Sequence, residues 1–281
     1  MMQLDNKDIP SRLSSNPTVL EFIMKLKPEE LSSFRSFTLW SPSIMAKLRD
    51  EPAHLSVLHR MWDRVPDQGM FIKTYFSLYE HPTADRSSVI DAFSQGQLDS
   101  KTWLIDKVRD LGLDLGRTWT LCGWYGTLAY LMFLRRNELH FDCVRSFDVD
   151  QNCAWLADTL NRTNVIDGWK FKATTMDVND IYYDDFKFVT RKYDGTLQEV
   201  IESADTVINT SCDHMDRNRW VERIPHGKLV ILQNNNFVRD DHVNTVSTIK
   251  EFKMKYPMKE YLYEGELNCM AYRRFMLIGR T

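Results

Sequence analysis

The five cysteines, Cys122, Cys143, Cys153, Cys212 and Cys269, form no CxxC pair. Their odd number fits reduced thiols in a cytosol-like compartment better than a disulfide framework. The seven histidines contain no HExxH, and His54 and His59, five apart, fall on different helical faces, so no metal site is expected. No signal-peptide pattern opens the sequence, and no apolar run approaches the roughly 20 residues that span a bilayer. A soluble, cytoplasmic protein without a membrane partner is therefore expected. The net charge of −3, with a pI near 6.2, supplies no global basic field, which weakens a nonspecific nucleic-acid binder. Internal repeats and low-complexity linkers are missing as well.

What is present can build a core: 43% of the residues are hydrophobic and 12% aromatic. Residues 1 to about 110 have helical texture. The segments 20–34 and 42–65 space their apolar residues three and four apart, with Pro28, Pro52 and Pro66 as punctuation. Residues 97–113 form another amphipathic pattern, whose inner stripe is read as Trp103, Leu104, Val108 and Leu111. Trp40, Trp62, Trp103 and Tyr79 read as core residues. The division expected is a helical region over 1–96, capping the site and selecting substrate, and an α/β domain over 97–281.

From residue 118 the texture changes. TWTLC (118–122), CVRSFDV (143–149), WKFKAT (169–174), DTVINTS (205–211) and KLVILQN (228–234) are short apolar runs suited to strands buried on both faces. Helical patterns at 127–136 and 153–162 alternate with the first three, which argues a doubly wound, mostly parallel sheet. The last two runs, 260–267 and 272–280, are too close for a parallel crossover, so an antiparallel hairpin should close a seven-stranded sheet.

Within this frame, LCGWYGTL places Gly123 and Gly126 in a strand-to-helix turn with Trp124 and Tyr125 between them. SFDVDQN ends the second strand on Asp148 and Asp150, TTMDVND follows the third with Asp177, and a polar stretch follows the fourth. In this order and spacing, residues 97–281 resemble the class I S-adenosylmethionine-dependent methyltransferases, with a Rossmann-like fold. The resemblance implies S-adenosylmethionine as cofactor. It implies that Asp148, with Val149 beside it, accepts the ribose hydroxyls; Asp150 is the competing choice. Asp177 would accept from the adenine amino group, with Met176 or Val178 flanking the ring. Gly123 and Gly126 would supply unusual backbone angles and close approach, with Trp124 and Tyr125 as pocket walls. The turn departs from the family pattern: Leu121 stands where an acid is usual, and bulky residues stand where glycines alternate. Gln97 and Lys101, one helical turn apart, are candidate partners for the methionine end, or else a solvated helix face.

The stretch INTSCDHM (208–215) carries the most chemistry. Ligands bind outside the carboxyl ends of strands in such sheets, so Asn209 and Thr210 should face the cofactor. His214, Asn209 and Ser211 are the catalytic candidates, His214 as general base. Gln233, Asn234, Asn235 and Asn236 end the fifth strand; the first three, with His242, are read as acceptor-binding. The alternatives are a turn built from asparagines and structural histidines. Cys122 and Cys212 read as small packing residues, Arg273 and Arg274 as solvent-facing. The Asn/Asp-Pro-Pro-Tyr sequence of exocyclic amino-methyltransferases does not occur.

The leading expectation is a small-group transferase using S-adenosylmethionine, methyl transfer first and aminocarboxypropyl transfer second. An NAD-dependent oxidoreductase would use Asp148 equally, but the turn lacks GxGxxG. A noncatalytic binding module is the third class. The acceptor (small molecule, peptide or nucleic acid) and the oligomeric state are left open.

Overall fold

The computed structural model describes Lys47 and residues 51–192, 194–216, 219–240, 242–269 and 271–281. The predicted helix over 20–34, most of the first third of the 42–65 pattern and Trp40 lie outside the described residues. The chain divides into two compact units, Met1–Gln95 and Gly96–Thr281.

In the first unit, α1 (Pro52–Trp62), α2 (Gln68–Tyr79) and α3 (Arg86–Asp91) follow one another. Pro52 opens α1 at its first turn, where the missing N–H would have had no helical acceptor. Asp67 caps α2 by accepting from the Met70 N–H, and Asp85 caps α3 by accepting from Ser87 and Ser88. Leu55, Leu58, Met61, Phe71, Tyr75 and Phe93 are buried, as are Trp62 and Tyr79. His54 is buried too, its Nδ1 2.7 Å from the Tyr75 hydroxyl. Burial lowers its pKa, so it is a neutral structural histidine.

The second unit begins with α4 (Gln95–Asp110). Its buried stripe is Leu98, Lys101, Leu104, Ile105 and Val108. This corrects the expected stripe: Trp103 is only half-buried, and Leu111 is exposed because the helix ends at Asp110. Then come β1 (Arg117–Leu121), α5 (Thr127–Leu134), β2 (Cys143–Asp148), α6 (Gln151–Leu160), α7 (Arg162–Ile166) and β3 (Phe171–Thr175). An antiparallel pair, β4 (Phe186–Arg191) and β5 (Leu197–Glu202), precedes β6 (Thr206–Asn209), α8 (Arg219–Glu222), β7 (Leu229–Asn235) and α9 (Ile249–Lys255). The chain ends in β8 (Glu260–Asn268) and β9 (Arg273–Arg280).

Seven strands form one sheet in the order β3-β2-β1-β6-β7-β9-β8. The first five run parallel; β9 is antiparallel to both β7 and β8. This is the doubly wound sheet with a closing hairpin that the strand spacing predicts. Every residue of β7 is buried, as expected for a strand covered on both faces.

The β4–β5 pair is an addition that the reading of the sequence missed. Its signal was available: Phe186 and Phe188 alternate with polar residues ahead of Asp194–Gly195. Phe188 packs edge-on against Phe147 at 5.4 Å and Trp119 at 6.1 Å, which places the pair over the sheet core. Buried Arg145 of β2 fastens it there, its Nε and Nη2 each 2.8 Å from the Glu202 carboxylate and its Nη1 donating to the Trp169 carbonyl at 2.7 Å. Among the described residues, no helix is long and apolar enough to cross a membrane.

Candidate active site

Because β1, β2, β3, β6 and β7 are parallel, their carboxyl ends share one rim. The chain leaves β1 toward β2 on one side and returns to β6 on the other. Such a switch point opens a crevice between the loops that diverge from it.

The turn after β1 is strained. Cys122 and Trp124 adopt φ of 50° and 48°, left-handed angles that bulky residues take rarely, and Gly126 follows at 70°. Gly123 is not in that region; it is needed for space, since a Cβ there would lie 2.0 Å from Ser146 Oγ. A Cβ on Gly126 would meet Asn161 Nδ2 at 2.8 Å and Ala157 Cβ at 3.1 Å. The expectation for the glycines is corrected at one position only: Gly126 has the unusual angle and also makes room for α6, Gly123 permits close approach, and Trp124 carries the angle assigned to Gly123. Asn161 holds the arrangement by donating to the Gly126 and Ala157 carbonyls at 3.1 and 3.0 Å. Non-glycine residues held at such angles cost about 1–3 kcal/mol each and persist where surroundings over-determine them.

Trp124 and Tyr125 stack with ring centroids 4.8 Å apart and planes at 22°. Tyr125 is buried, so it supports the turn from within; of the two expected walls, only Trp124 retains surface.

Asp148 closes over this turn. The Trp124 N–H donates to its Oδ2 at 2.9 Å and the Asp150 N–H to its Oδ1 at 3.1 Å. Each carboxylate oxygen keeps further acceptor capacity, so ribose hydroxyls can still be accepted. Burial raises its pKa above the ordinary carboxylate value, against the opposing pull of these backbone hydrogen bonds. Asp150 has a different task, capping α6 by accepting from the Asn152 N–H at 2.8 Å. Val149 is 72% exposed at the same strand end. Asp177 is exposed, with Oδ1 accepting from the Asn179 N–H at 2.8 Å. Val178 is a correction: it is buried in the core with Ile181 and Tyr183 and presents no face to an adenine ring. Met176, partly buried against that cluster, keeps some surface.

Gln97 and Lys101 do share a face of α4, and the Lys101 ammonium donates to Gln97 Oε1. Lys101 is buried, so the solvated-face alternative is excluded.

At the end of β6, Asn209 is fully buried, its Oδ1 accepting from the Ser211 N–H at 2.8 Å and its Nδ2 3.0 Å from Met215 Sδ. Its amide holds the turn, which corrects the catalytic expectation. Thr210 and Ser211 are half-buried, and the Thr210 carbonyl accepts from Arg274 Nη1 at 3.1 Å. Arg274 is itself buried, contrary to the solvent-facing expectation, because it stands opposite Asn235 in the β7–β9 ladder; Arg273 is exposed.

The amides of β7 are likewise corrected. Gln233 donates to the Ser100 carbonyl at 3.0 Å and accepts from its hydroxyl at 3.2 Å. Asn234 donates to the Asn244 carbonyl at 2.9 Å, and Asn235 donates to Asp213 Oδ2 at 2.8 Å while accepting from the Phe237 N–H at 2.8 Å. All three are buried and matched inside the protein, so none is placed to bind an acceptor.

A cluster that the sequence reading missed gathers here instead. Asp213, 2% exposed, lies with Oδ2 3.4 Å from His214 Nε2 and 3.5 Å from His242 Nδ1. The two imidazoles meet edge to face, with centroids 4.5 Å apart. His242 Nδ1 is also 2.7 Å from the Phe237 carbonyl. Asp213 belongs to the polar stretch 208–215, but nothing in the spacing shows that the loop after β7 returns His242 to it. The expectation of no metal site rested on sequence spacing alone and did not foresee this convergence.

Cys122 and Cys212 behave as packing residues. Burial pushes the Cys122 thiol up to about 12 and the Cys212 thiol well above its ordinary value, so neither is a thiolate nucleophile at neutral pH.

No family model matches the sequence, and no curated protein does. Solved structures do resemble it. The N-methyltransferase NodS from Bradyrhizobium japonicum WM9, bound to S-adenosyl-L-homocysteine, is 11% identical with a TM-score of 0.48, over 74% of this chain and 98% of that one. Geranyl diphosphate C-methyltransferase from Streptomyces coelicolor A3(2) is 8% identical with a TM-score of 0.46, over 73% and 87%. Magnesium protoporphyrin IX methyltransferase from Synechocystis PCC 6803 is 11% identical with a TM-score of 0.43, over 74% and 89%.

Proposed function

We propose that this chain is an S-adenosylmethionine-dependent methyltransferase. The observation that carries the reading is Asp148, a carboxylate at the carboxyl end of β2, bonded to the N–H of Trp124 in the strained, glycine-bounded turn that follows β1. A nucleoside laid against that turn meets acceptors for its ribose hydroxyls in Asp148, an apolar face in Val149 and Met176, and an aromatic wall in Trp124. Asp177 is the adenine-side acceptor in this reading. Gln97 and Lys101, next along the same unit, are assigned to the methionine end, Lys101 toward its carboxylate.

The residues after β6 serve the acceptor. In the transfer, the acceptor's lone pair attacks the methyl carbon, the carbon–sulfur bond breaks with its electrons going to sulfur, and the acceptor loses a proton. His214, exposed beside the buried Asp213, is the group that takes this proton, with Ser211 and Thr210 at its side. Asp213 is a positioning residue, fixing the ring through Oδ2. The protein contributes chiefly alignment and exclusion of water. The acceptor is then a hydroxyl or amine compound, with small molecule, peptide and nucleic acid all compatible. The helical region before residue 96 selects it, and a cytoplasmic location belongs to the same reading, supported by five cysteines that are all free.

Incubation with methyl-labelled S-adenosylmethionine and pooled acceptors tests the transfer. Label should move to an acceptor, and His214→Ala should lower turnover while leaving S-adenosylhomocysteine affinity unchanged. Transfer of the aminocarboxypropyl group instead would be read directly from the product mass, and would replace the methyl assignment.

A further inference from the structure

We propose that Asp213, His214 and His242 form a binding site for one divalent transition-metal ion. Three observations support the site. The first is convergence from two segments: Asp213 and the adjoining His214 sit in the short turn after β6, and His242 arrives from the loop after β7; one ligand-capable atom from each lies within 4.8 Å of the other two. Ligands about 2.0–2.2 Å from a common ion at tetrahedral or octahedral angles stand roughly 3.0–3.5 Å apart. The separations of Asp213 Oδ2 from the two imidazoles, 3.4 and 3.5 Å, have that size.

The second observation concerns Asp213 itself. The residue is 2% exposed, yet its Oδ1 has no hydrogen-bond partner among the described residues. An orphaned buried carboxylate oxygen is costly, and a cation held by the carboxylate removes the cost. The third is the supporting shell. Asn235 Nδ2 donates to Oδ2 at 2.8 Å and so fixes the carboxylate, while Asn235 is itself locked by the Phe237 N–H. Such outer partners orient the ligands of metal sites. At His242, the ion takes the place of the Nδ1 proton otherwise shared with the Phe237 carbonyl; the proton moves to Nε2, so the ring remains neutral.

Two imidazoles and one carboxylate suit zinc or iron(II) better than magnesium or calcium, which prefer all-oxygen shells. Three protein ligands would leave positions open for a substrate oxygen, whose pKa the ion would lower. With the ion bound, His214 would be a ligand and the more acidic ion-bound oxygen would release its proton to solvent, so proton acceptance and metal ligation are alternative roles for this one ring. The site does not rest on the methyltransferase reading, since the observations behind it concern Asp213, His214, His242 and Asn235 alone.

The test is calorimetric titration of chelator-stripped protein with zinc and, separately, magnesium, in the absence of any nucleoside. One zinc should bind per chain, far more tightly than magnesium. His214→Ala and Asp213→Asn should each weaken zinc at least roughly 100-fold, beyond the 10–100-fold seen for loss of a supporting contact. His214 is exposed, so its variant should fold as the wild type does, which thermal melting without metal checks. Cobalt(II) as a second probe should show no thiolate charge-transfer band. Unchanged zinc affinity in both variants, a thiolate band, or no zinc binding would each overturn the site. A separate titration with S-adenosylhomocysteine reports on the donor reading whatever the metal result.

Discussion

The turn after β1 and the end of β7 are both rims of the same sheet, and they teach opposite lessons about polar sequence. The β7 end, Gln233–Asn234–Asn235, has the denser run of polar side chains, and every one is buried and bonded to protein. The β1 turn offers glycines and aromatics with one acid across from it, yet it holds the strained backbone and the partly used carboxylate of Asp148. A site is marked by polar capacity left over after folding and by conformations that folding alone would not choose. Polar composition marks it poorly.

Substitution can break the contrast. The largest effect is expected from Gly123→Ala, because the added Cβ would lie 2.0 Å from the buried Ser146 hydroxyl. The turn must shift, at a cost of about 1–3 kcal/mol in stability; urea unfolding should show this, and S-adenosylhomocysteine binding should be lost. Asn235→Ala should cost a similar 1–3 kcal/mol by leaving Asp213 Oδ2 and the Phe237 N–H without their partner. Its nucleoside affinity should stay at the wild-type level, which separates a structural amide from a binding one. Asp148→Ala should reverse that pattern, with affinity weakened roughly 10- to 100-fold through loss of hydrogen bonds to a charged acceptor worth about 1.5–3 kcal/mol. Stability should change less, because the ionised carboxylate is held in a desolvated place.

The acidity of Asp148 gives a subtler pair of effects, opposite in sign. Burial raises its pKa, so the folded chain holds that proton more tightly than the unfolded one. Its contribution to folding stability is complete below the ordinary carboxylate pKa and is lost as pH rises through the raised value. Ribose binding needs the ionised form, so affinity for S-adenosylhomocysteine should fall with acidification at a higher pH than an ordinary aspartate would dictate. Calorimetry across a pH series on wild type and Asp148→Ala checks this, the variant showing the flatter profile. The smallest effect is expected of Trp124→Ala: loss of stacking on Tyr125 is worth about 0.5–1.5 kcal/mol, with a matching few-fold change in affinity.

Much of the sheet was legible because buried parallel strands read as short apolar runs and the closing hairpin follows from chain length. The place of Asp148 at the end of β2 was legible for a related reason: an acid directly after Ser146 and Phe147 marks where the apolar run stops. The β4–β5 pair was missed although Phe186 and Phe188 alternate, because attention to apolar runs overlooks strands with one exposed face. What could not be read were partnerships across the fold. Gln233 meets Ser100 from a distant helix, Arg274 reaches Thr210, and His242 returns to Asp213. Sequence shows which groups can form hydrogen bonds, and only the packed chain shows which have already done so. Nor does sequence predict that Trp124, rather than a glycine, takes the left-handed angle.

The central claim is that the rim formed by the carboxyl ends of β1 and β2 binds an S-adenosyl nucleoside through Asp148. Calorimetric titration of the purified chain with S-adenosylmethionine, S-adenosylhomocysteine and NAD tests it most directly. The account predicts one site of about micromolar affinity for the first two, the range of ordinary small-ligand complexes near −8 kcal/mol, and none for NAD. Binding of NAD alone would make the sheet that of an oxidoreductase, and silence from all three in a folded protein would make it a noncatalytic binding module; either result contradicts the claim.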